Sequence, residues 1–224
     1  MDLQGFGGQL WIGAWMTLQL ALCALALGLG FGAIGCWLQR SPNPVGAALG
    51  YGYSAVARGV PDLLLIFLVY FGGLHGLPAL LGRPVDVGAF AAGTLALALS
   101  FGAFASEVFR GALNAVSRTQ REAAAVLGLG RFGAFLTVVA PQALRTGLAP
   151  CGNQAIVLLK QTSLVSVIGC DELMRKAAEA AVGTRQPFTV YLAAAGLYLV
   201  LTTLATVALE LAERRACRHA RTEP

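Results

Sequence analysis

Residues 3–39 read LQGFGGQLWIGAWMTLQLALCALALGLGFGAIGCWLQ and contain no Asp, Glu, Lys or Arg. A helix needs roughly 20 apolar residues to cross the hydrocarbon core of a bilayer, and this stretch supplies them with residues to spare. Three further runs are equally free of charge: Leu63–Gly82, Val87–Ser106 and Gln186–Leu209. A fifth, Thr146–Gly169, carries only Lys160. Five spanning helices are expected, in an all-α polytopic bundle forming a single membrane domain over residues 1–224. Whole-chain composition agrees, since 57% of the residues are hydrophobic, 12% are charged and the mean hydropathy is +0.69. Soluble domains average about 25% charged residues, so this chain lacks the charge to cover a water-facing surface.

Only Asp2 precedes the first apolar stretch. A removable signal peptide needs a positive segment there, so the first helix is expected to stay in the mature protein. Trp11, Trp15 and Trp37 stand near its ends as interfacial anchors. Cys23, Cys36, Cys151, Cys170 and Cys217 form no CxxC pair and are expected to act as small hydrophobes. The formal charge of +5 is informative by position. With the N-terminus outside, the inner segments hold Arg40, Arg110, Arg118, Arg121, Arg131, Arg145, Arg214, Arg215, Arg218 and Arg221. The outer ones hold Arg83, Arg175, Lys176 and Arg185. Ten against four by this count favours N-terminus out and C-terminus in by the positive-inside rule. The basic balance thus belongs to topology, and no nucleic-acid partner is expected.

Between the third and fourth spans lies an inner segment, about residues 107–145, that is not simply oily. Thr119-Gln120-Arg121-Glu122 fits a capping box, with Glu122 placed to favour the positive end of a helix. Ala123, Ala124 and Ala125 propagate that helix with little bulk, and Gly128 and Gly130 can stop it. A helix of about two turns is marginal alone in water. Its small face can dock into a groove on a partner, or the helix can lie on its own bundle.

The stretch EVFRGALNAVSRTQREAAAVLGLGRFGAFLTVVAPQALR resembles the coupling loop of ABC importer permeases. That pattern has Glu-Ala-Ala, a glycine four residues after the second alanine, and a later proline. Glu122-Ala123-Ala124, Gly128 and Pro141 match it in order. GNQAIVLLKQTSLVSVIGCDEL, ARGVPDLLLIFLVYFG and the closing ERR resemble the polar amino-acid branch, in particular its permeases for histidine, lysine and arginine or for opines. The likeness extends from about Trp11 to Arg215. Ser117-Arg118-Thr119-Gln120 and Ala149-Pro150-Cys151-Gly152 depart from the usual turns.

The resemblance implies an importer-type transmembrane domain whose loop at residues 107–145 docks into a cytoplasmic ATPase. Glu122, Ala123, Ala124 and Gly128 would carry the coupling. It also implies two ATP-binding subunits, a second permease subunit of the same or similar kind, an extracytoplasmic amino-acid-binding protein, and a bacterial inner membrane. The chain has only Lys160 and Lys176 as lysines, neither in a GxxxxGK[ST] phosphate loop. ATP hydrolysis therefore falls to another polypeptide, and no cofactor is expected here.

Charges near the spans are candidates for the substrate pathway. Arg58 and Asp62 flank Pro61; they can pair across one helical turn, or mark a broken helix of the kind that lines substrate sites. Glu107 and Arg110 repeat the arrangement after the third span. Lys160 is isolated within a span, where ionisable residues usually face a cavity, although a lysine can also snorkel. Gln154, Gln161, Thr162, Ser163 and Ser166 give the same helix a polar stripe. Glu172 is a candidate counter-charge for a cationic substrate. Asp62, Lys160, Thr162, Ser163 and Glu172 are thus the expected pathway residues. The competing class is a stand-alone ion-coupled transporter or channel, against which stand the odd span number and the absence of a visible repeat. A membrane enzyme is disfavoured: the two histidines, His75 and His219, have no metal-site spacing, and no metal ligands are expected.

Overall fold

The computed structural model describes residues 7–82 and 87–217, which form helices joined by short connections. Arg83, Arg218, Arg221 and His219, and the first residues of the 3–39 run, lie outside the described residues. In chain order the helices are α1 (Gly7–Gln39), α2 (Pro44–Gly59), α3 (Asp62–Leu81), α4 (Ala89–Ala115), α5 (Arg118–Val126), α6 (Arg131–Ala134), α7 (Ala140–Gln161), α8 (Leu173–Thr184) and α9 (Pro187–Cys217). A π-helical turn, Phe135–Val139, joins α6 to α7, and a 3-10 helix, Thr162–Ile168, extends α7.

By length and composition α1, α4 and α9 can each cross a membrane, and α2 with α3 makes a fourth crossing if that bent pair is one span. α7 does not pass the same test. Arg145, Lys160 and its glutamines and asparagine lower the hydropathy of the segment expected to be a fifth span. α2 has no counterpart among the expected spans. Asn43 starts it by accepting from the Val45 N–H at 2.9 Å, and Pro44 supplies a first-turn φ without a wasted donor. Its end is fixed by Pro61, which drives Val60 into an extended conformation, so the axis turns by 110° between α2 and α3. α4 runs past its expected end, so Glu107 and Arg110 stand on a helix and not in a loop.

The molecule is organised around the α1–α4 pair. Leu20 and Ala24 of α1 and Ala96, Leu97, Phe101 and Ala105 of α4 are buried together, with Ile66 of α3, Leu158 of α7 and Val165 packed around them. Close approach depends on glycine. A Cβ on Gly32 would lie 2.6 Å from the Ala105 Cβ, and one on Gly28 would lie 3.0 Å from the Ala98 carbonyl oxygen. Small residues that let helix backbones meet are the usual means of packing in lipid, where burial from water supplies no driving force.

A second cluster closes the other end of α1. Leu10 and Ala14 pack on Leu173, Ala177 and Ala180 of α8 and on Val190 and Ala194 of α9. Glu172 lies inside this joint. It is fully buried and caps α8 by accepting from the Met174 and Arg175 N–H groups at 2.9 and 2.8 Å. Tyr198 Oη of α9 donates to it at 2.8 Å, and Thr17 Oγ1 of α1 at 3.3 Å. Glu172, expected as the counter-charge of a cationic substrate, is thus placed inside the bundle. Its acceptors are committed to a three-helix lock, and burial pushes its carboxyl above the ordinary carboxylate range.

Two outcomes follow from these contacts. Gly32→Leu should abolish recovery of folded protein, whereas Gly30→Leu should leave it intact, because a Cβ on Gly30 meets nothing within 4 Å; size-exclusion profiles in detergent distinguish them. Glu172→Ala, which orphans the cap and the Tyr198 hydroxyl, should cost about 2–4 kcal/mol in thermal unfolding. Glu172→Gln should cost less because it keeps an acceptor oxygen.

Candidate functional site

The loop after α4 is shaped by backbone chemistry at both ends of α5. Val116 is extended, and Ser117 is the N-cap, its Oγ accepting from the Gln120 N–H at 3.3 Å. The expected capping box at Thr119 is thus displaced two residues upstream. Glu122 does not reach back to the cap; it accepts from Arg118 Nε at 2.6 Å across one helical turn. That pair is well exposed and contributes little to stability. At the other end Gly128 adopts φ +77°, its N–H bonding the Ala125 carbonyl while the Leu129 N–H bonds that of Ala124. This is a Schellman stop, as the glycine predicts.

Ala124 is the buried residue of α5, and Glu122 and Ala123 are exposed beside it. Arg121 turns back to donate to the Leu113 carbonyl, tying α5 to the last turns of α4. At the end of α5 and shortly after it, Val126, Leu127 and Phe132 are 87%, 80% and 75% exposed. Three large apolar side chains so close in sequence, on a capped connection outside the α4 and α7 helices, form a surface that suits a protein partner.

A cavity of about 450 Å³ opens at the α2–α3 break, lined by Arg58, Val60, Pro61 and Asp62, by Ser100 and Phe104 of α4, and by Gln154 and Gln161 of α7. Asp62 is held there by Ser100 Oγ and Gln161 Nε2, both donating at 2.5 Å. No cation stands within 4.0 Å of it among the described residues. The expected Arg58–Asp62 pair is not made. Arg58 Nε donates to the Ser54 carbonyl at 3.1 Å, and its guanidinium lies 3.8 Å from Glu107. Glu107 also accepts from Arg110, from Ser54 Oγ at 2.9 Å and from Gln39 Nε2 at 3.0 Å. The four charges near the break thus divide into a cluster of two guanidiniums about Glu107 and one carboxylate, Asp62, with no cation within 4.0 Å among the described residues.

The polar stripe of α7 also divides. Gln154 and Gln161, two turns apart, face the Asp62 cavity. Lys160 faces the other way, into a groove of about 460 Å³ with Thr202, Thr203, Thr206 and Glu210 of α9. Thr162 is fully buried and donates to the Leu159 carbonyl at 2.7 Å. Ser163 and Ser166 donate to the Lys160 and Ser163 carbonyls in the same way. Of the expected pathway residues, Asp62 alone lines the cavity at the break. Ser100, Gln154 and Gln161 belong beside it; the seven-residue spacing of the glutamines is a sequence signal, whereas Ser100 has none beyond being polar in an Ala/Leu run.

Residues 10–217 match the family described as the binding-protein-dependent transport system inner membrane component. The chain is 38% identical to an octopine transport system permease protein, OccQ, of Rhizobium meliloti, with 99% of this chain and 98% of that one covered. It is 41% identical to the arginine ABC transporter permease protein ArtQ of Haemophilus influenzae, with 93% of each covered. A crystal structure of an amino acid ABC transporter with histidines superposes with a TM-score of 0.84 at 32% identity, covering 96% of this chain and 97% of that one. Family match, near full-length relatives and fold agree: the chain belongs to the binding-protein-dependent transport system inner membrane components and is a membrane-spanning permease subunit of an ABC importer.

Proposed function

We propose that this permease carries a basic amino acid or a related opine inward, and that Asp62 meets the cationic group of the substrate. The observation that carries this reading is the Asp62 carboxylate, in a polar cavity at a helix break, with no cation within 4.0 Å among the described residues. A buried or half-buried carboxylate is stabilised by a partner cation, and here hydrogen-bond donors hold its geometry while the charge is left for a ligand. Gln154 and Gln161 supply amide groups that can take the polar end of the same molecule. The names of the arginine and octopine relatives favour the same substrate class.

In this reading residues 107–145, from the last turns of α4 to the first turn of α7, form the cytoplasmic coupling segment. Glu122, Ala123, Ala124 and Gly128 build its docking helix, and two ATP-binding subunits receive it. The permease itself hydrolyses no ATP. A second permease subunit, the same or similar, covers the α7–α9 face. Support for that comes from Lys160, which is exposed beside Thr202 near the midpoint of α9 with no carboxylate within 4.0 Å among the described residues. A charge at that position is costly against lipid. An extracytoplasmic binding protein delivers substrate to the outer ends. The domain spans residues 1–224, crosses a bacterial inner membrane five times with α7 among the spans, and has its N-terminus outside and its C-terminus inside.

Asp62→Asn should lower uptake of labelled arginine by the reconstituted transporter about tenfold or more, the value of a charge-assisted hydrogen bond. It should leave assembly with the ATPase unchanged; wild-type uptake by this variant would sink the assignment. Gly128→Asp combined with Glu122→Lys should remove the ATPase from a co-purified complex while the permease keeps its wild-type elution. Retention of a coupled ATPase by that variant would show that α5 is not the lever.

A further inference from the structure

A second groove, of about 740 Å³, lies between the last turns of α1 and α4 and the first half of α7. Leu29 and Ala33 of α1, Phe109 of α4, and Leu144 and Leu148 of α7 form its apolar walls. Its size falls in the range of about 300–1,000 Å³ that holds a small organic ligand. From Leu29 to Arg40 the α1 wall measures about 16 Å at 1.5 Å per residue. Half of a hydrocarbon core of roughly 30 Å is about 15 Å. The groove is therefore one leaflet deep.

Its mouth has the chemistry of a headgroup layer. Trp37, one turn before the end of the wall, is 71% exposed, the position of an interfacial aromatic belt. Arg40 lines the mouth and donates to Asn114 Oδ1 at 2.6 Å, with no carboxylate within 4.0 Å among the described residues. Arg145, next to Leu144 in sequence, likewise has no carboxylate within 4.0 Å among the described residues. An apolar slot one leaflet deep, topped by an arginine whose charge is unbalanced, matches a phospholipid in shape and charge. Guanidinium recognises phosphate oxygens by paired N–H donors, and basic pockets between spans on the cytoplasmic side select anionic headgroups.

We infer that the α1–α4–α7 groove is a binding site for an anionic phospholipid of the cytoplasmic leaflet, with one acyl chain between the walls and the phosphate at Arg40. The leaflet rests on the proposed orientation, with the C-terminus inside; the site itself does not. Phe109 and Phe135 place the chain between the two arms that carry the coupling loop, since one precedes α5 and the other follows it.

Native mass spectrometry of the full-length permease, with phosphatidylglycerol and phosphatidylcholine added in equal amounts, tests the site. The wild type should retain phosphatidylglycerol about tenfold over phosphatidylcholine, the scale of one charge-assisted contact. Arg40→Gln should bring the ratio near one, Arg40→Lys should keep a preference, and Ala33→Phe should reduce retention of both lipids. Undiminished preference in Arg40→Gln would overturn the proposal. So would a photo-crosslinking residue at position 37 that captures a second permease subunit and no lipid. A reporter fused to the C-terminus reads the orientation separately. If it reports inside and lipid preference is absent, the site is refuted while the topology stands; if it reports outside, the leaflet assignment is refuted.

Discussion

The contact on which the rest depends is the glycine-lined seam between α1 and α4. In lipid, apolar side chains gain nothing by leaving water, so helices associate through close packing and polar contacts. Gly28 and Gly32 let the α1 backbone approach Ala98, Phe101 and Ala105 closely enough for that packing to operate. Everything functional hangs on α4 once it is fixed. Its middle supplies Ser100 to the cavity at the helix break, its C-terminal half carries Glu107, and its last turn leads through Val116 into α5.

Charge is handled in two distinct ways around this seam. Glu107 gathers Arg58, Arg110, Ser54 and Gln39 from three helices, so that its own charge is fully paired inside an apolar bundle. Asp62 is held by two hydrogen-bond donors and has no cation within 4.0 Å among the described residues. The turn at Pro61 creates the difference. It swings α3 away from α2, so Arg58 follows the α2 surface toward Glu107 while Asp62 faces Ser100 and Gln161.

Much of the architecture is legible in composition alone. The uncharged runs locate α1, α3, α4 and α9, and Gly128 marks the stop of α5 because its positive φ suits glycine and few other residues. Other parts depend on context that no short pattern carries. α2 is rich in glycine and carries a single charge, Arg58, so its helix is set by Asn43, Pro44 and packing on α1 and α4. Ser117 and Thr119 can both cap a helix, and Ser117-Arg118-Thr119-Gln120 itself fits the spacing of a capping box; the extended Val116 decides between them. Lys160 and Gln161 are adjacent in sequence yet point about 100° apart on a helix of 3.6 residues per turn, and only the position of α9 tells which of them faces which groove. Glu172 reads as an exposed loop acid until Thr17 and Tyr198 are seen to surround it.

The Glu172 joint sets an order for biogenesis. Thr17 leaves the ribosome 155 residues before the carboxylate it binds, so α1 must enter the bilayer with that hydroxyl turned to its own backbone or to water. Glu172 in turn waits for Tyr198 on the final helix. The joint can therefore close fully only when α9 has been inserted, and a chain truncated before Tyr198 would leave the carboxylate one donor short of its native set. The same buried carboxylate that stabilises the finished bundle thus ties its first and last described helices into one late-forming contact.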